Sequence, residues 1–261
     1  MNKKNLIFNN KAQIILTQSE QLKLYYEMQT RNPIILIQQY YLNDSEERQE
    51  ELKFCLKKNL ENKYISHIYL LNEKIYTLQE LGLDNDSSYN KLTQINISKR
   101  LSFKEAFKFI KTNNINGYCV ISNSDIFFNE TINQLKFSYL HKEKCCLGLT
   151  RYEYKDENNY FFVRDYIKYG GSQDTWILHS NSIVKELYEL DIFDFNLGTP
   201  GCDHKILYLL YRLNFNLINC PTLINIFHYH NTNIRNYIDN KETRIPVPYL
   251  FLKSPNNIQT E

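Results

Sequence analysis

Short apolar runs alternate with stretches of helical spacing along the first half of the chain. Ile34-Ile35-Leu36-Ile37 follows Pro33 without a polar break, the pattern of a strand buried on both faces. Asp44-Ser45-Glu46-Glu47 then offers a Ser cap and an acidic first turn. Leu52, Cys55 and Leu56 continue that helix at helical spacing to about Asn59. A second strand is predicted over 65–71, ending at Asn72-Glu73, and a third around 93–97. Ser102 caps a helix through Phe103, Ala106, Phe107 and Ile110, and Gly117 precedes a fourth strand that ends at Asp125. Strand, helix, strand, strand, helix, strand is the order of a doubly wound α/β half.

The second half has a different rhythm. One strand is predicted over 145–154 and another over 174–178, with Gly170-Gly171 as a hinge between them. A short helix follows over 183–190. The loop from Leu197 to Asp203 feeds a helix over 204–213, and a closing β segment over 217–227 bends at Pro221. The stretch after Arg244 is Pro-rich and is expected to form an irregular cap. No internal repeat or linker composition divides the chain. The expectation is one domain over 1–261, with a nucleotide-binding half at about 30–128 and an acceptor or catalytic half at about 140–240.

Composition narrows the function classes. With 43% hydrophobic and 23% charged residues over 261 positions, a sizeable core is within reach. The formal charge of +2 lacks the basic bias of a nucleic-acid-binding surface. The 21 tyrosines, with abundant Asn, Ile and Lys, look like the codon bias of an AT-rich genome and carry no functional signal. No run approaches the ~20 apolar residues of a membrane helix, and the first residues lack a signal-peptide core. The six cysteines show no CxxC spacing and sit mostly in apolar runs, so buried free thiols in a reducing compartment are expected. Cytoplasm is the default location; oligomeric state is not legible.

Candidate chemistry begins at Asn123-Ser124-Asp125, a small polar cluster closed by a carboxylate at a strand end. Ligands of open α/β sheets bind there, and a hard divalent cation takes oxygen ligands that a diphosphate can complete. The same three residues also suit an Asp-capped turn. Downstream, Gly170-Gly171-Ser172-Gln173-Asp174-Thr175-Trp176 sets an amide, a carboxylate and the only Trp side by side. Pro200-Gly201-Cys202-Asp203 places a carboxylate at a helix start, and Phe227-His228-Tyr229-His230 ends the last strand.

This succession resembles glycosyltransferases of the GT-A fold, an α/β, Rossmann-related mixed sheet flanked by helices. Further stretches (Gln38-Gln39-Tyr40-Tyr41, Arg48, Cys55-Leu56, 59–62, 100–103, Ser172-Gln173-Asp174, 198–203 and 228–237) are similar to a small group of such enzymes from large DNA viruses and some bacteria. The resemblance spans roughly 34–237. It implies a nucleoside-diphosphate sugar donor, best matched by a UDP-sugar, a glycan or protein hydroxyl acceptor, and transfer of a hexose with inversion. It also implies Mn2+ or Mg2+ on the donor diphosphate at the DxD position, held by Asp125 with His228 and His230. The first acid of that motif is Asn123 here, so only Asp125 is charged.

Asp203 matches the position of the catalytic base in inverting members; its bland alternative is a dipole partner worth ~0.3–1 kcal/mol. Asp174 is the rival base, or a hydrogen-bond acceptor for sugar hydroxyls. Trp176 is a core residue before it is a sugar platform. Asn123, Ser124, Arg100 and Arg235 are candidates for the diphosphate, and Arg suits its planar contacts. Tyr40 is a candidate to stack on the nucleobase, and Arg48 is equally a surface salt-bridge residue. Two other classes compete. A sugar-nucleotide nucleotidyltransferase would carry a Gly-rich loop after the first strand, and Gln38-Gln39-Tyr40-Tyr41-Leu42 has no glycine. A non-catalytic nucleotide-sugar or carbohydrate-binding module fits the loss of charge at Asn123.

Overall fold

The computed structural model describes residues 32–84, 89–163, 168–232, 234 and 242–254. Its first strand, β1 (Ile34–Gln38), is buried at every position. Ile34 and Leu36 enter one core cluster and Ile35 and Ile37 the other, which is why the run carries no polar alternation. Helix α1 (Glu46–Glu61) starts where the Ser45 side chain accepts from the Arg48 backbone N–H. β2 (Ile65–Asn72) and β3 (Leu92–Asn96) follow. Helix α2 (Phe103–Thr112) is capped by Ser102, which accepts from the Glu105 N–H. β4 (Tyr118–Ser122) then returns to the sheet centre beside β1.

The expected fourth strand is three residues shorter than its apolar run suggested. It stops at Ser122, the chain turns through Asn123-Ser124-Asp125, and a separate strand β5 (Ile126–Phe128) begins a second sheet. The 145–154 strand is likewise two: β6 (Cys145–Thr150) in the main sheet and β7 (Tyr152–Asp156) in the second, parting at Arg151. β8 (Asn159–Phe162) forms an exposed hairpin with β7 that the sequence pattern had not predicted. β9 (Gln173–His179) precedes α3 (Ser180–Glu186), which starts and stops earlier than the helix expected over 183–190, and a 3-10 turn follows at Leu190–Phe193. Helix α4 (Cys202–Arg212) starts two residues before the expected 204, so Asp203 lies inside its first turn. The closing segment is β10 (Asn216–Ile218) and β11 (Ile226–His228), one in each sheet.

The main sheet has seven strands in the order β10-β6-β9-β4-β1-β2-β3, and the second has four in the order β5-β11-β7-β8. β3, β2, β1 and β4 run parallel, whereas β9 is antiparallel to both β4 and β6. This is a mixed α/β fold. One face of the main sheet packs on Leu52 and Leu56 of α1, with Ile132 and Leu135 beside them. The other packs on Phe103, Phe107 and Ile110 of α2 and on Ile206, Leu207 and Leu210 of α4. Trp176 is fully buried in that second cluster, edge-on to Phe103. Cys55, Cys119, Cys145, Cys146 and Cys202 are buried free thiols, and Cys220 is half-buried. No helix among the described residues is long and apolar enough to cross a membrane.

The stretch 242–254 has neither helix nor strand and straps the ends of the second half together. Ile245 N donates to Pro200 O, Leu250 N donates to His204 O, and Leu252 O accepts from the side-chain amides of Gln173 and Asn219.

Candidate functional site

β1 has β2 on one side and β4 on the other, so the chain diverges at their carboxyl ends and opens a crevice there. Because β9 runs antiparallel to β4, its first residues reach the same edge: the Asn123 N–H donates to the Asp174 carbonyl at 3.1 Å. The Gln38 side-chain amide donates to Asn123 O at 2.7 Å and to Ile126 O at 3.3 Å, which fixes the turn carrying Asp125. The Tyr229 N–H donates to Asp125 O and holds the end of β11 against that turn. The result is a cleft of about 590 Å³ bordered by Arg48, Arg100, Asp125, Asp174, Asp203 and His228 among others, a size typical of small-ligand sites.

A chain of charged contacts runs through the cleft wall. Arg48 Nη2 meets Asp125 Oδ2 at 2.6 Å, and His228 Nε2 and His230 Nδ1 face that same oxygen at 3.4 and 3.6 Å. His228 Nδ1 is bound to Glu153 Oε2 at 2.7 Å. Arg151 bridges onward, with Nε on Glu153 Oε1 and Nη1 on Asp174 Oδ2, both at 2.7 Å. The Asn123 amide closes the circuit by donating to Asp174 Oδ1 at 2.7 Å. Burial works to raise the Asp125 pKa, but His228, His230 and Arg48 outweigh it and hold the carboxyl well below the ordinary range. Burial likewise opposes ionisation of Glu153, yet His228 and Arg151 bring it down to about 2. For His228, the Asp125 and Glu153 carboxylates overcome burial and the nearby Arg151 charge, and its pKa rises.

Asp125, His228 and His230 have ligand atoms within 4.8 Å of one another, the one such group among the described residues. Donors ~2.1 Å from a common cation stand roughly 3.0–3.5 Å apart, close to the 3.4 and 3.6 Å observed around Oδ2. Glu153 on Nδ1 directs the Nε2 of His228 towards Asp125, the outer-shell pairing that orients a metal-binding imidazole. His230 Nε2 is buried without a partner among the described residues. The three residues fit a divalent cation.

Across the cleft, burial and then the negative charge of Asp174 push the Asp203 carboxyl up from 3.8 to about 7. The backbone N–H groups of His204 and of Asp203 itself, and the Arg151 charge, oppose that rise. His204 Nε2 lies 3.6 Å from Asp203 Oδ2. Burial, aided by the Arg244 charge, lowers His204 to about 4, so at neutral pH the contact joins a neutral imidazole to the carboxyl and is not an ion pair.

The structure brings Arg100, Asn123, Ser124, Asp125, Asp174, Asp203, His228 and His230 to one cleft. Tyr40 is corrected: it is 2% exposed, its hydroxyl donates to Glu80 O and accepts from the Gln49 amide, and Tyr41 borders the cleft in its place. Arg100 reaches the cleft while its Nη2 donates to Leu197 O. Arg235 lies outside the described residues. Arg48 is no surface residue: its side chain is 6% exposed. Sequence reasoning missed Arg151 and Glu153, and the one available signal was a charge placed inside an apolar strand run.

No family model matches the chain, and no curated protein matches it. Among solved structures it is similar to the mannosyltransferase PcManGT from Pyrobaculum calidifontis in complex with GDP-Man and Mn2+. That match has a TM-score of 0.52 and 11% identity over 83% of this chain and 66% of the other. GalNAc-T7 with UDP, GalNAc and Mn2+ matches with a TM-score of 0.49 and 10% identity over 77% of this chain and 44% of that one. The 4-diphosphocytidyl-2C-methyl-D-erythritol synthase of Anaerococcus prevotii matches with a TM-score of 0.46 and 14% identity over 83% and 94%. The chain thus spans less than two thirds of the first two structures. The PcManGT match is a likeness of fold, and the mixed sheet flanked by helices is GT-A-like. The likeness to viral enzymes drawn from sequence gains nothing from these matches.

Proposed function

We propose that this protein transfers a hexose from a nucleoside-diphosphate sugar to a hydroxyl acceptor, with inversion and with help from a divalent cation. The observation that carries the reading is the meeting, in one cleft at a sheet switch point, of a two-imidazole, one-carboxylate group with a separate carboxyl poised near neutrality. Asp125, His228 and His230 hold the cation, and two imidazoles favour Mn2+ over Mg2+. A bound cation there supplies positive charge against the leaving diphosphate.

Asp203 is the base. In its ionised form it accepts the proton of the attacking acceptor hydroxyl, and a pKa of about 7 suits proton transfer at neutral pH. Asp174 is held in place by Asn123 and Arg151, which suits orienting sugar hydroxyls better than moving a proton. Ser124, Asn123 and Arg100 line the path of the diphosphate. The donor is a UDP- or GDP-sugar, with UDP-hexose as the first choice from the sequence resemblance. One domain carries both halves, donor-binding over about 30–128 and acceptor-binding over about 140–240.

The test is thermal shift with UDP, GDP, CMP and dTDP, each with Mn2+, Mg2+ or EDTA, since a ligand of the folded state raises Tm by mass action. Stabilisation by one nucleotide that requires the cation is expected. Asp203→Asn should keep that stabilisation and lose transfer by about 10²-fold or more. No shift with any nucleotide would refute the reading and leave a non-catalytic module, and full transfer by Asp203→Asn would refute the base.

A further inference from the structure

Arg48 occupies a position that metal-assisted chemistry makes awkward. Its Nη2 lies 2.6 Å from Asp125 Oδ2, the oxygen that His228 and His230 also face. A cation ~2.1 Å from that oxygen would stand no more than ~4.7 Å from Nη2, the sum of the two distances. A divalent ion and a guanidinium that close repel strongly in a site shielded from solvent. They do not share Oδ2 comfortably.

The other end of Arg48 is firmly anchored. Nη1 meets Glu51 Oε2 at 2.7 Å. Glu51 Oε1 accepts the backbone N–H groups of Asn231 and Thr232 at 2.6 and 2.8 Å, and the Thr232 hydroxyl donates to Oε2 at 3.2 Å. The guanidinium is therefore pinned on one edge, while its other edge borders the cleft.

We propose that Arg48 is the resident counter-cation of Asp125 and an exchangeable diphosphate ligand. It neutralises the carboxylate in the free protein and turns its Nη2 edge to the donor diphosphate when a divalent cation takes Oδ2. This rests on the metal-assisted reading above and adds its regulation. Cation and diphosphate then bind as a unit, because each removes the obstacle to the other, and such coupling is reciprocal. Glu51 is the pivot, and its three bonds to residues 231 and 232 keep it satisfied throughout. The planar guanidinium suits phosphate oxygens.

The experiment is to measure free Mn2+ by electron paramagnetic resonance in titrations of the full chain. It compares wild type, Arg48→Met and Arg48→Lys, each alone and with saturating UDP or GDP, after subtracting the Mn2+ that the same nucleotide holds without protein. Wild type should bind Mn2+ weakly alone and at least ~10-fold more tightly with one of the nucleotides, a coupling of the usual allosteric size. Arg48→Met should bind Mn2+ alone at least ~10-fold more tightly than wild type and gain less from nucleotide than wild type does, the remainder being the direct attraction between cation and diphosphate. Arg48→Lys keeps the charge and should stay within ~3-fold of wild type for Mn2+ alone, which guards against a Met variant that does not fold.

If Arg48→Met binds Mn2+ alone no more tightly than wild type, the exchange is overturned and the metal-assisted reading survives. A Lys variant that matches the Met variant overturns it too, since charge would then be irrelevant. If no form binds Mn2+ with or without nucleotide, the metal-assisted reading itself fails and the exchange falls with it.

Discussion

Asp203→Asn tests in one variant whether the proposed base is tuned by its surroundings. In the folded protein the Asp203 carboxyl has moved from 3.8 to about 7, and each tenfold change in its proton affinity is worth about 1.36 kcal/mol. The sign follows from proton counting. Between the two values the folded state binds more protons than the unfolded state, so stability falls as pH rises through that window. The penalty is about 2 kcal/mol at pH 5 and about 4 kcal/mol at pH 8, where both states are ionised. The Asn side chain has nearly the same shape and also accepts the backbone N–H groups of positions 203 and 204, but it carries no charge to bury beside Asp174. The variant should therefore be more stable than wild type, and its advantage should widen by about 2–3 kcal/mol between pH 5 and pH 8. For a chain of this size that corresponds to a Tm gap growing by ~5–10 °C. Thermal unfolding of both proteins at pH 5, 6.5 and 8, in EDTA, measures it directly. A gap that stays constant with pH, or a variant less stable than wild type at pH 8, would refute the raised carboxyl. Glycosyl transfer by wild type should climb about tenfold per pH unit below about 7 as the base ionises.

Arg151→Met should destabilise by about 3–5 kcal/mol in urea unfolding, because it strands the carboxylates of Asp174 and Glu153 in a buried setting; a cost below about 1 kcal/mol would show the bridge to be ornamental. Gly117→Ala should cost more than about 2 kcal/mol in the same assay, since Gly117 sits at φ +129° and an added Cβ would lie 2.2 Å from Pro33 O. Tyr40→Phe should lose about 1–2 kcal/mol of stability, having lost the hydroxyl that links Gln49 to Glu80. Its UDP and GDP affinities should not change, and a clear loss there would restore Tyr40 to the nucleotide site.

Local signals carried much of the first half. Ser45 and Ser102 mark their helices by side-chain caps three residues deep, and the unbroken apolar runs of β1 and β4 reflect burial on both faces. Asp125, Asp203, His228 and His230 stand out in the sequence as polar residues at or near element ends, and the fold gathers them at one cleft. The second half hid its architecture, because an apolar run gives no sign of which sheet it belongs to. β6 and β7 are nearly continuous in sequence, yet the chain changes sheets at Arg151. Arg48 was hidden for a related reason. Periodicity treats a charged helix position as solvent-facing, and its partner Asp125 lies 77 residues away, where no local pattern points. Tyr40 failed in the opposite direction: its place after a strand suggested the cleft, but the bonds of its hydroxyl to Glu80 and Gln49 hold it inside.

The circuit Asp125–His228–Glu153–Arg151–Asp174–Asn123 draws its members from the ends of β4, β11, β7 and β9 and from the sheet switch between β6 and β7. Each charged member is balanced by its neighbours, so a lone replacement leaves an orphan behind. In evolutionary terms the circuit should be inherited as one character. Drift at Arg151 is tolerable only with a compensating change at Asp174 or Glu153, so related chains should vary at these positions in concert or not at all. The exposed hairpin turn between β7 and β8, whose Glu157 makes a solvent-exposed pair with Lys58 at 3.5 Å, is free to diverge.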